Sequence, residues 1–169
     1  MVASSHAIVE IQGEFVMRRL IWLCSALPMA LTLTLSGASA ETGDKAIATA
    51  LSDPALQWGP CPPIFPKGCQ IAVLHGNPAR PNADIFLRVP GGYKIPAHRH
   101  TSAERMVLVS GKLRVHYQGT PAVILRPGNY AFGPAGMPHN GTCLSVQPCT
   151  LFIAFEGAVD VEAVSGNLN

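Results

Sequence analysis

Between residues 71 and 155 short apolar runs alternate with breaks made of Gly, Pro, Asn and Asp. The runs are Ile71–Leu74, Ala83–Val89, Arg105–Val109, Leu113–Tyr117, Ala122–Leu125, Tyr130–Phe132 and Thr150–Phe155. Runs this short, rich in β-branched and aromatic residues and closed by turn formers, predict strands. Their regular spacing predicts an all-β sandwich or barrel. No stretch holds a helical period long enough to supply the crossovers of a parallel sheet. Upstream, the pattern predicts a short helical segment from Ala46 to Leu51, stopped at Asp53-Pro54. The following stretch, Trp58-Gly-Pro-Cys-Pro-Pro-Ile-Phe-Pro-Lys-Gly-Cys69, has too many prolines for helix or strand interior and predicts a loop. After Glu156 no pattern assigns a structure.

The most apolar run, Leu20 to Leu35, does not belong to this scheme. Arg18 and Arg19 precede it and Ser36-Gly37-Ala38-Ser39-Ala40 follows, the order of a secretory signal peptide cleaved after Ala40. A membrane anchor fits less well, because the run is shorter than the roughly 20 residues a bilayer requires and contains Pro28. Residues 1–16 sit oddly ahead of such a signal, and Met17 makes the more ordinary start. Cys24 lacks the small residues that a lipoprotein signal places just before its cysteine. The mature chain is thus expected to be periplasmic or secreted, with no lasting membrane anchor. In that compartment Cys61, Cys69, Cys143 and Cys149 predict two disulfides, for which three pairings exist. Proximity favours Cys61–Cys69 with Cys143–Cys149, and a four-thiolate zinc site lacks its short Cys-x-x-Cys spacings.

A length of 169 residues allows one compact domain besides the processed segment. We divide the remainder into an N-terminal extension and proline-rich loop over 41–70, a barrel over 71–156 and a tail over 157–169. Sixteen glycines, 15 prolines and a charged fraction of only 13% suit many turns better than a helical bundle. The formal charge of +2, with Lys and Arg scattered, gives no phosphate-binding stripe, so nucleic acid is not an expected partner.

Candidate chemistry rests on four side chains. His98 and His100 are two apart, so an extended chain sends both to one face, as chelation of one ion requires. Glu104 follows after Thr101-Ser102-Ala103, a break long enough for the chain to turn and return a carboxylate to the same side. His139 ends Gly128-Asn-Tyr-Ala-Phe-Gly-Pro134-Ala-Gly136-Met-Pro-His139, where glycines and prolines punctuate a strand and a turn. His75 and His116 lack such a context. If the two paired histidines face inward, alternation turns Met106 and Leu108 inward too, giving an apolar cavity. Tyr117, Tyr130, Phe132 and Arg88 are further candidates for its wall. Three imidazoles and a carboxylate suit one divalent ion, Fe, Mn, Ni, Co or Zn, and lack the thiolates of a closed structural zinc site.

Gly92-x5-His98-x-His100-x3-Glu104-x6-Gly111 resembles the first motif of the cupin family, and Gly128-x5-Pro134-x-Gly136-x2-His139 resembles the second. Where the second motif normally ends in Asn, this chain has Cys143. The resemblance implies a double-stranded β-helix barrel with a metal inside its mouth, held by His98, His100, Glu104 and His139. It does not name a reaction, because cupins include dioxygenases, decarboxylases, isomerases, storage proteins and ligand sensors. The expectation is a metal-dependent oxygenase-type enzyme acting on a small organic molecule, with a non-catalytic metal- or ligand-binding module as the alternative. Bicupin oxalate decarboxylases place an arginine three residues before the first metal histidine, and here Ile95 stands there. The final run, Cys149-Thr-Leu-Phe-Ile-Ala-Phe155, resembles the cupin domains of zinc-binding anti-sigma factors and their β-diketone-cleaving relatives. Edge-to-edge pairing of barrels, common in the family, leads us to expect a homodimer.

Overall fold

The structure, a computed structural model, describes residues 45–166 and residue 168. The expected signal sequence lies outside these described residues. Eleven strands form two antiparallel sheets, and no helix is present among the described residues. The first sheet orders β1 (Trp58–Pro60), β2 (Gln70–His75), β3 (Ala83–Val89), β10 (Cys149–Phe155), β5 (Glu104–Ser110) and β8 (Tyr130–Gly133). The second orders β11 (Glu162–Ala163), β4 (Lys94–Arg99), β9 (His139–Cys143), β6 (Leu113–Tyr117) and β7 (Val123–Leu125).

The core follows from alternation. Ile85, Leu87 and Val89 of β3, Met106 and Leu108 of β5, and Leu151, Ile153 and Phe155 of β10 are all buried, and successive residues of a strand point to opposite faces. Leu113 and Val115 of β6 meet them from the second sheet. Each such aliphatic side chain contributes about 1.5–3 kcal/mol by leaving water, so the two apolar inner faces hold the sheets together. Two disulfides add to this: Cys61–Cys69 closes the proline-rich loop, and Cys143–Cys149 joins the end of β9 to the start of β10, one sheet to the other. Gly111 makes room for the second bridge, since a Cβ there would come within 2.8 Å of Cys149 Sγ, and its φ of +86° disfavours any other residue.

Three expectations are corrected. The helical segment from Ala46 to Leu51 is not formed: the Asp53 N–H donates to Ala50 O, and Asp53 Oδ1 accepts from the Ala55 N–H, which makes turns instead. Six residues ahead of an Asp-Pro break are too few to nucleate a helix without packing. The proline-rich stretch begins as strand β1, with Trp58 opposite Ala72 and Pro60 opposite Gln70. A proline is tolerated there because β1 is an edge. The tail also acquires structure: β11 pairs with β4, Glu162 opposite Arg99 and Ala163 opposite His98.

Candidate metal centre

A register irregularity builds half of the site. Against β9, β4 shifts between Ile95 and His98, so Ile95, His98 and His100 all line the interior although strict alternation would separate 95 from 98. Pro96 lies in this irregular step, and its carbonyl accepts from His98 Nδ1 at 2.7 Å. His139 opens β9 opposite both His98 and Tyr117. Glu104 starts β5 in the other sheet, opposite Gly133. Imidazoles on the β4–β9 side therefore face a carboxylate from across the barrel.

The four side chains converge. One ligating nitrogen from each of His98, His100 and His139 lies within 4.8 Å of the others. Glu104 Oε1 is 3.2 Å from His139 Nε2, and Oε2 is 3.6 Å from His100 Nε2. Neighbouring donors on an octahedral ion with bonds of about 2.1 Å stand about 3 Å apart, so the contacts of Glu104 with His139 and His100 suit a shared ion, although the set that lies mutually within 4.8 Å is the three histidines, with Glu104 beside it. All four residues are at most 8% exposed.

The tautomers are set by main-chain carbonyls, which can only accept. His98 Nδ1 donates to Pro96 O, His100 Nδ1 to Asp160 O at 2.5 Å, and His139 Nδ1 to Met137 O at 3.1 Å. Each ring is thus protonated at Nδ1 and presents a bare Nε2 lone pair. Burial lowers the His98 pKa to about 4 and that of His139 to about 3, and it lowers His100 as well, so all three rings are neutral near pH 7. Burial also raises Glu104 to about 8. Its Oε1 has no hydrogen-bond partner. A buried, unpaired carboxylate oxygen among three bare imidazole nitrogens lacks a cation, and a divalent ion would supply the missing partner. The residues fit the ion.

Gly133 leaves the space that Glu104 occupies: a Cβ there would lie 2.8 Å from Glu104 Cγ and Oε1 and 3.2 Å from Tyr117 Cε1. Tyr117 packs behind His139 with ring centroids 5.2 Å apart, and its buried hydroxyl also lacks a partner. Burial, then the nearby Glu104 charge, raises the Tyr117 pKa.

The four side chains open into a cavity of about 120 Å³. Its wall is chiefly aliphatic, with Ile85, Leu87, Met106, Leu113, Leu151 and Ile153 prominent. Pro62 and Phe65 from the disulfide-closed loop and Val159 to Val161 from the tail complete it. Phe65 sets its edge on His98 at 5.2 Å, and the Tyr93 hydroxyl donates to Pro66 O in the same loop. Met106 lines the cavity as expected, whereas Leu108 is buried elsewhere in the core. Of the other candidates none lines it. Tyr130 and Phe132 are exposed, Arg88 lies 3.8 Å over the Trp58 ring and donates to Gln70, and Tyr117 stands behind His139. Sequence reasoning missed Phe65 and Asp160. Asp160 holds His100 by its carbonyl, and its carboxylate accepts from the Thr101 N–H and hydroxyl.

Two antiparallel sheets enclosing inward-facing histidines near an open end define a cupin barrel. The family model for the ChrR cupin-like domain matches residues 48–159, and the chain belongs to that family. No curated protein matches the sequence. Among solved structures the chain is similar to the DMSP lyase DddQ from Ruegeria pomeroyi, at 22% identity and a TM-score of 0.55, covering 64% of this chain and 60% of that one. It is similar to an RmlC-like cupin from Shewanella frigidimarina at 18% identity and a TM-score of 0.53, covering 63% and 87%. An oxalate decarboxylase shares 18% identity with a TM-score of 0.51, covering 62% of this chain and 30% of that one. The chain spans less than two thirds of the DMSP lyases it matches, 63% and 60% of their lengths. At these identities the likeness concerns the fold.

Proposed function

We propose that this protein is a metal-dependent enzyme of the oxygenase type, in which His98, His100, Glu104 and His139 hold one divalent ion facing a small organic substrate. The observation that carries this reading is the set of three tautomer-locked imidazoles around a buried carboxylate oxygen with no partner. When bound, a divalent ion with four protein ligands supplies Lewis-acid chemistry and open positions for small ligands. The chain's own residues orient the donors through the carbonyls of Pro96, Met137 and Asp160. Phe65 and the aliphatic wall line the reacting side with hydrocarbon. Among the described residues the cavity offers no acid or base beyond the four ligands and Asp160. That poverty also favours a second reading, a non-catalytic module that senses a metal or small ligand.

We further propose that residues 1–40 direct export and are removed, and that the protein acts as a homodimer in the periplasm or outside the cell; the two disulfides support an oxidising setting. Elemental analysis of protein from its native compartment, followed by a screen for substrate-dependent oxygen uptake, tests the main proposal. Metal in stoichiometric amount with uptake supports the enzyme, metal without uptake across the screen supports a metal sensor, and absence of metal sinks the enzyme and leaves only a small-ligand sensor. N-terminal sequencing tests export, since a mature chain still carrying Arg18 would refute cleavage.

A further inference from the structure

The cavity has a one-sided chemistry. Among the described residues neither lysine nor arginine lines it, and neither does serine, threonine or tyrosine. Its only formally ionisable side chains among the described residues, besides the histidines, are Glu104 and Asp160, both acids. Asp160 is already committed, because its two carboxylate oxygens accept from the Thr101 N–H and hydroxyl at 3.0 and 2.6 Å. The remaining wall is hydrocarbon apart from the uncharged amide of Asn140 and the backbone at Gly141: Ile71, Ile85, Leu87, Leu151 and Ile153 from one sheet face Leu113 and Val115 from the other. A distal anion therefore meets no counter-charge and no hydroxyl, and a distal cation meets only the Asp160 carboxylate, whose two oxygens are already taken up by Thr101. The volume of about 120 Å³ is on the scale of the roughly 150 Å³ engineered apolar cavity that takes up benzene, which suits an occupant of about six to eight non-hydrogen atoms.

Charge balance sharpens this. A divalent ion with ionised Glu104 leaves a net charge of about +1 at the centre, enough to neutralise one anionic donor atom bound to it. A second charge farther into the cavity would be buried unpaired, at a cost of several kcal/mol. Resting on the metal-centre reading above, we infer that the ligand is a small molecule with an uncharged, apolar body, whose single charge, where it has one, sits on the atom that binds the ion. The site thereby discriminates against dicarboxylates and against zwitterions of similar size.

Three four-carbon probes test this on the full-length mature protein loaded with Zn²⁺, after elemental analysis has established the loading. Butanoate carries its one charge at the end that would bind the ion, succinate adds a distal anion, and 4-aminobutanoate adds a distal cation. Binding is read by titration calorimetry, with the shift in thermal midpoint as a second measure. Butanoate is expected to bind, and the other two on the order of 100-fold or more weakly, in keeping with the burial of one unpaired charge. Succinate or 4-aminobutanoate binding within tenfold of butanoate would overturn the inference. So would a loaded protein that binds none of the three. Failure to take up Zn²⁺ is a separate result, visible before any probe is added, and it would sink the reading of the metal centre on which the inference rests.

Discussion

Glu104 offers the sharpest test of the site's electrostatics, because its carboxyl should act in opposite senses with and without an ion. It is 2% exposed, and burial raises its pKa from 4.5 to about 8. In the metal-free fold the carboxyl therefore prefers to be protonated. Its contribution to stability is complete below pH 4.5, where the unfolded chain is protonated too, and is lost as pH rises through about 8. At about 1.4 kcal/mol per pH unit, the whole displacement amounts to about 5 kcal/mol. The histidines act the other way: their pKa values are lowered, so stability is lost as pH falls below 6.5. Comparison with Glu104→Gln removes their effect, since both proteins carry them. Urea unfolding of chelator-stripped wild type and Glu104→Gln from pH 4.5 to 9 should show the variant gaining about 5 kcal/mol on the wild type. With saturating metal the gain should vanish, because the ion now stabilises the ionised carboxylate. A difference between the two metal-free proteins that stays constant over this range would refute the account of Glu104.

The metal itself should follow the ligand set: His100→Ala and His139→Ala should each lose most bound metal by equilibrium dialysis while the barrel stays folded. Glu104→Gln should lose less, because an amide oxygen still coordinates; a larger loss than in the histidine variants would overturn the assignment. Gly133→Ala should weaken metal binding by about 10- to 100-fold, as expected when a ligand's support is disturbed, since the new methyl would lie 2.8 Å from Glu104 Cγ. An unchanged dissociation constant would show that Glu104 moves aside freely. Replacing Cys143 and Cys149 together by serine should lower the unfolding free energy by about 2–3 kcal/mol, as estimated for a short closed loop, with mass spectrometry of the unreduced wild type first establishing both bridges.

Much of this architecture was legible because strands with one buried face write their parity into the sequence. Ile85, Leu87 and Val89, or Leu151, Ile153 and Phe155, declare a face by alternation alone. The histidines were legible for another reason: two imidazoles separated by one residue are hard to place on a strand except on one side. What stayed hidden depends on things that side-chain identity does not encode. Asp160 supports His100 through a backbone carbonyl, a group every residue possesses. Phe65 reaches the cavity only because the loop around it is closed by Cys61–Cys69 and held by Tyr93. Tyr130 and Phe132 were placed among candidates for the interior because they are aromatic, yet β8 is an edge whose alternate positions face water. The step between Ile95 and His98 was equally invisible, since a bulge changes parity without changing composition.

The bond from His100 to Asp160 spans 60 residues, and Asp160 lies beyond β10, the last strand of the larger sheet. During synthesis every other piece of the pocket except Val161 leaves the ribosome before the carbonyl that orients this imidazole does. A chain cut between residues 156 and 160 would keep β1 to β10 and lose both that carbonyl and the pairing of β11 with β4. Its remaining histidines would stand beside a ring free to flip its tautomer. Metal affinity would in that way depend on an intact tail, although none of the four proposed ligands lies in it. Comparing the metal affinity of the full chain with one ending at Gly157 reads this directly, and equal affinities would show that the tail plays no such part.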